Sequence, residues 1–170
     1  MAAITLDGEP ILTIGQLPKT GSRCPGFFLT KSDLTDVGLH DFDGMRLVFN
    51  IFTSIDTSVC AASVRRFNEA ASSLDNTAVL CVSQDLPFAH ARFCGAEGIE
   101  NVILLSSFRS KSFGTGFGVT MIEGPLAGLF SRAVVITDSS HIVTYTEQVP
   151  ENSREPDYAK ALKVLELERQ

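Results

Sequence analysis

Tryptophan is absent from the sequence, histidine and tyrosine are scarce, and no two of the four cysteines form a C-x-x-C pair. The missing C-x-x-C pair argues against a zinc knuckle and against a dithiol redox motif. The histidines, His40, His90 and His141, are scattered along the chain. His90 precedes Cys94 by four residues, but two ligands are too few for a metal site, so we interpret His90 as a solvated side chain. The sequence therefore predicts neither a bound metal nor another cofactor.

Basic residues and long apolar runs are also in short supply. The 14 basic and 20 acidic residues give a formal charge of −6, which argues against a surface for nucleic acid or for an anionic membrane. There is no run of about 18 apolar residues that could span a membrane, and the first residues, MAAITLDGEP, lack the features of a signal peptide. We therefore expect a cytoplasmic protein whose cysteines, in a reducing compartment, are not a structural disulfide framework.

The length of the chain and its apolar content fit an ordinary globular protein. The chain has 170 residues, of which 44% are hydrophobic, enough for one domain with a substantial core. No internal repeat or linker divides it. We therefore expect a single domain over residues 1–170.

The stretch around Cys60 is the most informative part of the sequence. Residues 47–52 form an apolar run that predicts a buried strand, and residues 56–58 offer three competent N-cap side chains. Apolar residues then recur at roughly helical spacing, at Cys60, Val64, Phe67, Ala71 and Leu74. Cys60 is thus predicted in the first turn of a helix, where unpaired N–H groups and the helix dipole stabilise a thiolate. Most cysteines are nevertheless small buried hydrophobes, so position alone leaves both interpretations open.

The other elements alternate between strands and helices. Strands are predicted at residues 4–6, 11–13, 27–30, 77–83, 101–105, 132–137 and 142–145, and helices at 88–94 and from Pro156 onward. Residues 31–44 are predicted as a turn-rich connection, and Gly95 as the C-cap that follows Cys94. Cys81 is expected in the core, and Cys24 in an exposed or half-buried loop. This order of elements predicts an α/β thioredoxin-like fold with an N-terminal β-hairpin.

Four segments together resemble a known family. They are DTSVCAASVRRF at 56–67, LCVSQDLPFAHARFCGAEG at 80–98, SRAVVITD at 131–138 and EPDYAKALKVLE at 155–166. They are similar to the thiol peroxidases, the atypical two-cysteine peroxiredoxins of bacteria, and the resemblance runs from about residue 3 to about residue 167. It implies the peroxiredoxin variant of the thioredoxin-like fold. By this resemblance Cys60 is the peroxidatic cysteine and Cys94 the resolving one, while Thr57 and Arg132 complete the peroxide pocket.

The resemblance also implies an activity and partners. Hydrogen peroxide and alkyl hydroperoxides would oxidise Cys60 to a sulfenic acid, and an intramolecular Cys60–Cys94 disulfide would be recycled by thioredoxin. A homodimer is expected, with Phe113 and Phe117 either at its interface or in the core. Two alternatives remain on the residues alone. One is a redox sensor that passes oxidation to a partner protein, and the other is a non-catalytic thioredoxin-fold binding module.

One position departs from the family pattern. The family's P-x-x-x-T-x-x-C motif places proline seven residues before the peroxidatic cysteine, and this chain has Thr53 there. Proline would stiffen the loop and shield the thiolate from water. From the sequence we expect Thr53 to slow the reaction with peroxide, and restoring proline to raise its rate.

Overall fold

The computed structural model describes residues 1–169 and begins with a two-stranded hairpin. Strand β1 (Ala3–Leu6) pairs antiparallel with β2 (Glu9–Leu12). At the turn, Asp7 and Gly8 have φ angles of 51° and 84°, which is the geometry that joins two twisted strands through two residues. The predicted N-terminal hairpin is confirmed.

A seven-stranded mixed sheet forms the centre of the fold. Its strands are β3 (Phe28–Lys31), β4 (Asp36–Gly38), β5 (Arg46–Ile51), β6 (Thr77–Ser83), β7 (Ile103–Ser106), β8 (Ala133–Thr137) and β9 (Val143–Gln148). They are ordered β4-β3-β7-β6-β5-β8-β9 across the sheet. Strands β5, β6 and β7 run parallel, whereas β8 is antiparallel to β5 and β9 to β8. Every residue of β5 and β8 is buried, including the polar residues Arg46, Asn50 and Thr137, so neither strand alternates between a buried and an exposed face.

Helices cover both faces of this sheet. They are α1 (Ser58–Ala71), α2 (Pro87–Glu97), α3 (Ser112–Gly116) and α4 (Tyr158–Leu167). Alternate residues of a strand face opposite ways, so Val48 packs with α1 and α4 while Phe49 packs with α3 on the other side. Two apolar clusters result, one on each face. The thioredoxin-like α/β fold predicted from the order of elements is confirmed.

Phe113 and Phe117 belong to the apolar cluster that contains Phe49. Both side chains are fully buried, and their rings stack with centroids 4.3 Å apart. Their place is therefore the core, and the alternative prediction that they lie at an interface is wrong.

Several element boundaries differ from the sequence-based predictions. The connection at 31–44 contains β4 and a 3₁₀ turn at Leu39–Phe42. Helix α2 passes through Gly95 and ends at Gly98, whose φ of 65° is the left-handed cap conformation that favours glycine. The last helix starts at Tyr158, because the Asp157 side chain, and not Pro156, provides its N-cap by accepting from the Lys160 N–H.

Strand pairing brings three distant segments to one edge of the sheet. Ile51, the last residue of β5, lies opposite Ala133, the first residue of β8. Ala133 in turn lies opposite Gln148, the last residue of β9. The residues after β5, before β8 and after β9 therefore meet at the same edge. No helix within residues 1–169 is long and apolar enough to cross a membrane.

Candidate functional site

Cys60 lies in the first turn of α1, a few residues beyond the end of β5. The first hydrogen bond of the helix runs from the Ala61 N–H to the Thr57 carbonyl at 3.0 Å. The N–H groups of Ser58, Val59 and Cys60 therefore precede the regular helical pairing, where the dipole is positive. The Cys60 side chain has no exposed surface. A cysteine thus occupies the place where a negative sulfur is best stabilised.

Arg132 supplies a positive charge to this sulfur. It directly precedes β8, and its Nη2 donates to the Cys60 Sγ at 3.3 Å. The Arg132 side chain is 2% exposed, and its Nη1 has no hydrogen-bond partner anywhere in residues 1–169. One nitrogen of the guanidinium therefore contacts the thiol, and another is a buried donor without a partner in the described residues.

Thr57 lies at the rim of the same site. It is the N-cap residue of α1 by backbone position, but its Oγ1 donates to the Ser54 carbonyl at 2.9 Å and makes no capping bond to the helix. Thr57 and Arg132 both line a cavity of about 230 Å³, together with Thr53 and Asn152. Thr57 and Arg132 thus line one small cavity, and the fully buried Cys60 sulfur lies 3.3 Å from Arg132 without lining that cavity.

Two buried polar residues, Asn152 next to Arg132 and Thr53 next to Asn152, were not recognised from the sequence as parts of the site. The Arg132 N–H donates to Asn152 Oδ1 at 2.8 Å, and the Arg132 Nε donates to the Asn152 carbonyl at 3.1 Å. Asn152 Nδ2 donates to Thr53 Oγ1 at 3.1 Å, and that hydroxyl donates to the Phe130 carbonyl at 2.8 Å. Thr53 had been noted only as the residue that departs from the family motif. Nothing in the sequence marked Asn152, which reaches the site only through the return of β9.

Cys94 lies on α2, in its last turn, and is half-buried. It packs against the same apolar cluster that contains Cys60, and the two sulfurs are not bonded. Burial raises the pKa of the Cys94 thiol. The Cys94 carbonyl accepts from the N–H groups of Gly98 and Ile99, so this turn is closed by the Gly98 cap.

Two ion pairs tie the segments that carry Cys60 and Cys94. Arg92 Nη2 lies 2.6 Å from Asp56 Oδ1, just before α1, and Arg65 Nε lies 2.8 Å from Glu97 Oε2. In the chain, Cys60 lies between Asp56 and Arg65, and Cys94 lies between Arg92 and Glu97. The two cysteine segments therefore run side by side, each in a complete helical turn.

Asp85 holds the segment that precedes α1 through hydrogen bonds, and His90 is linked to Asp85 through Ser83. The Asp85 carboxylate accepts hydrogen bonds from the Ile55 N–H at 2.7 Å, from the Ser54 hydroxyl at 2.8 Å and from the Ser83 hydroxyl. The Ser83 Oγ lies 2.9 Å from His90 Nε2. His90 is completely buried, so its interpretation as a solvated side chain is wrong. Burial lowers the pKa of His90 to about 4, despite the opposing charge of Asp85.

The other two cysteines are buried away from the guanidinium. Cys81 lies in β6 within the core, as predicted. Cys24 is 6% exposed, so its expected exposed or half-buried position is wrong; the loop that carries it packs beneath Phe27 and its neighbours in the core. Burial raises the pKa of each thiol to about 12. Both are therefore neutral, poorly nucleophilic thiols at physiological pH.

Comparison with known proteins places this geometry in a family. The Redoxin family profile matches residues 19–162. A thiol peroxidase of Mycobacterium bovis is 53% identical over 165 residues, which cover 97% of this chain and 99% of that protein. The crystal structure of a peroxiredoxin-like protein from Aquifex aeolicus superposes with a TM-score of 0.93 at 33% identity, over 98% of this chain and 97% of that one. A thiol peroxidase from Chromobacterium violaceum shares the fold with a TM-score of 0.91 at 24% identity, covering 100% of this chain and 99% of the other.

Proposed function

Because the chain belongs to the thiol peroxidases of the Redoxin family, we propose that it reduces hydrogen peroxide and alkyl hydroperoxides through a sulfenic acid on Cys60. One observation carries the proposal: Arg132 Nη2 donates to the Cys60 sulfur at 3.3 Å, at the N-terminus of a helix. Both groups favour a thiolate, which is the reactive form of cysteine.

The charge balance of the site supports Cys60 as the reacting sulfur. Arg132 is almost fully buried, and no carboxylate within residues 1–169 forms an ion pair with it. A buried charge without a counter-charge is strongly unfavourable. The sulfur at 3.3 Å is the group placed to supply that counter-charge.

In the first step the Cys60 thiolate attacks the distal oxygen of the hydroperoxide. An S–O bond forms, the O–O bond breaks, and the departing oxygen keeps its electron pair and takes up a proton to leave as water or an alcohol. The sulfur is oxidised to the sulfenic acid and the peroxide is reduced. Thr57 and Arg132 line the cavity in which the peroxide oxygens would lie, and Arg132 Nη1 has no partner within residues 1–169, so these are the two residues that we propose stabilise the charge on the departing oxygen.

Stabilising the thiolate does not by itself make a fast peroxidase. Lowering the pKa of a thiol from ~8.5 to ~6 raises the ionised fraction at neutral pH roughly 30-fold. Nucleophilicity falls with pKa along a Brønsted slope of ~0.4–0.5, which takes back about 10- to 20-fold. The net gain is only about twofold. The free nitrogen of Arg132 therefore matters more for the transition state than for ionisation.

In the second step the Cys94 sulfur attacks the sulfenic sulfur, forming a disulfide and releasing the sulfenic oxygen as water. A disulfide requires Cα atoms within about 7 Å. Cys60 and Cys94 lie in intact turns of two different helices and are not bonded, and we infer that the first turn of α1, the last turn of α2, or both unwind in each cycle. The ion pairs that join these turns, Arg92–Asp56 and Arg65–Glu97, are solvent-exposed, and such pairs contribute only ~0–1 kcal/mol each. They hold the folded turns in place without preventing their opening.

Thioredoxin, a dithiol protein, would reduce the Cys60–Cys94 disulfide and close the cycle. The resemblance to the family also supports a homodimer in the cytoplasm. Since Phe113 and Phe117 are buried, such a dimer must use other apolar side chains, and Leu86 and Phe88 at the start of α2 are exposed by 53% and 65%. Light scattering on the wild type and on Phe88→Glu tests this interface; a dimer that persists unchanged in the variant excludes Phe88 from it.

The proposed cycle is tested by peroxide-dependent oxidation of NADPH through thioredoxin and its reductase, with hydrogen peroxide and an alkyl hydroperoxide compared. Cys60→Ser should abolish turnover, because a hydroxyl is not ionised at neutral pH. Cys94→Ser should permit one stoichiometric oxidation of Cys60 and no recycling. Sustained full-rate turnover in the Cys94 variant would remove Cys94 from the resolving role.

A further inference from the structure

Resting on the proposed peroxidase function, we propose that Asn152, held by the Thr53 hydroxyl, is a positioning residue that aims the Arg132 guanidinium at the peroxide. All three side chains are at most 4% exposed, although two carry amide or hydroxyl groups and one a full charge. Buried polar groups are retained only where hydrogen bonds satisfy them, so this group forms one interdependent network.

Asn152 holds Arg132 at two points. Its Oδ1 accepts the Arg132 N–H at 2.8 Å, which locates the backbone, and its carbonyl accepts the Arg132 Nε at 3.1 Å, which fixes the plane of the guanidinium. The guanidinium is planar, so fixing Nε and Nη2 also fixes where Nη1 points. Nη1 is the nitrogen without a partner in the described residues, and Arg132 lines the cavity beside the first turn of α1.

Thr53 in turn holds Asn152. The Thr53 hydroxyl accepts from Asn152 Nδ2 at 3.1 Å and donates to the Phe130 carbonyl at 2.8 Å, so both its donor and its acceptor functions are used. Phe130 lies two residues before Arg132, which closes the network into a ring. A proline at position 53 has no hydroxyl and would provide neither bond. The residue that departs from the family motif is thus the one that gives Asn152 its side-chain partner.

The first test distinguishes an effect on the orientation of Arg132 from an effect on the exposure of Cys60. In Thr53→Val, which keeps the shape and removes the hydroxyl, the rate constant for oxidation of Cys60 by hydrogen peroxide should fall about three- to tenfold, the range expected for one buried hydrogen bond. Alkylation of Cys60 by iodoacetamide should change less, because that reaction needs the thiolate but no oxyanion partner. Thr53→Ser should restore the peroxide rate. Thr137→Val is the matched control, since Thr137 is equally buried and its hydroxyl has no partner within residues 1–169.

The second test asks whether Asn152 acts through Arg132. Asn152→Leu should lower the peroxide rate in the wild-type background and have no further effect in an Arg132→Ala background. An undiminished effect in that background would show that Asn152 acts independently and overturn the proposal. Peroxide and alkylation rates that fall in parallel in Thr53→Val would also overturn it, since they indicate only a change in exposure or ionisation.

A third measurement needs no peroxide. Hydrogen exchange of the Arg132 Nε–H, followed by NMR in the reduced protein, should be slow in the wild type and in Thr137→Val and faster in Thr53→Val. Equal exchange in all three proteins would refute the positioning role. A wild type that is inert to peroxide, but in which this exchange depends on Thr53, would refute the proposed function while leaving the positioning of Arg132 supported.

Discussion

Replacing His90 with glutamine measures how strongly a buried histidine makes the folding stability depend on pH. Glutamine can keep a hydrogen bond to Ser83, which lies 2.9 Å from His90 Nε2, and it carries no charge at any pH. His90 is completely buried, its Nδ1 has no partner in the part of the chain that the structure describes, and Asp85, at 3.8 Å, is the charged group that faces it.

The direction of the effect follows from the pKa of His90, which burial lowers from 6.5 to about 4. Between these values the unfolded chain binds a proton that the folded chain does not. The free energy of unfolding therefore rises with pH in this window; the stabilisation is complete above the unfolded value and is lost as the pH falls toward 4. Integration of the linkage relation gives a loss of about 2 kcal/mol between pH ~7.5 and ~5, equivalent to roughly 4–8 °C in Tm for a chain of this size.

Urea unfolding followed by far-UV circular dichroism, with reductant present, suits a chain without tryptophan. Over the same pH range His90→Gln should lose about 2 kcal/mol less stability than the wild type. His40→Gln is the matched control, because the His40 side chain is 98% exposed, and it should follow the wild type. Equal losses in the wild type and in His90→Gln would show that His90 does not titrate as its burial requires, and the reasoning would fail.

Three further predictions concern the thiol chemistry. Arg132→Ala should lower the peroxide rate constant by more than it lowers the thiolate fraction of Cys60, since ionisation accounts for only about a twofold gain in rate. Rapid-quench mass spectrometry measures the rate constant, and thiol titration measures the thiolate fraction. Equal decreases in the two quantities would contradict this prediction. Thr53→Pro should slow the peroxide reaction, reversing the expectation from the sequence. Its gain in chain stiffness is ~0.4–1 kcal/mol, whereas it leaves two buried hydrogen-bonding groups unpaired at ~1–3 kcal/mol each; a faster proline variant would refute this balance. Cys24→Ser and Cys81→Ser should retain peroxidase activity if they fold, and a large loss in a folded variant would implicate that thiol in the cycle.

The sequence by itself was sufficient for the local features. The apolar run at 47–52, the N-cap candidates and the helical spacing from Cys60 to Leu74 lie close together in the chain, and they predicted a strand, a turn and a helix that the structure contains. The N-terminal hairpin was equally local, since its turn chemistry resides in Asp7 and Gly8. These features depend on neighbours a few residues apart, so they can be inferred without knowing the fold.

The end of α2 shows where local signals become ambiguous. The sequence predicted Gly95 as the C-cap, but the structure ends the helix at Gly98. In the structure a side chain at Gly95 would meet open space, while Gly98 takes the left-handed conformation and returns the chain to the sheet. Which glycine ends the helix depends on where α2 must leave its packing surface, and that is set by the elements around it.

Tertiary structure brings the groups around the sulfur together; the family resemblance had named Arg132 and Thr57, but nothing in the sequence had pointed to Asn152. Arg132 is 72 positions from Cys60, and Asn152 is 99 positions from Thr53, yet each pair is in hydrogen-bond contact. These contacts exist because β5, β8 and β9 are neighbours in one register, so that the end of β5, the start of β8 and the end of β9 share an edge. The burial of His90 has the same origin, since it depends on how α2 packs against the sheet. The sequence determined that a cysteine would begin a helix after a buried strand; only the pairing of strands far apart in the chain placed a guanidinium, an amide and a hydroxyl behind it.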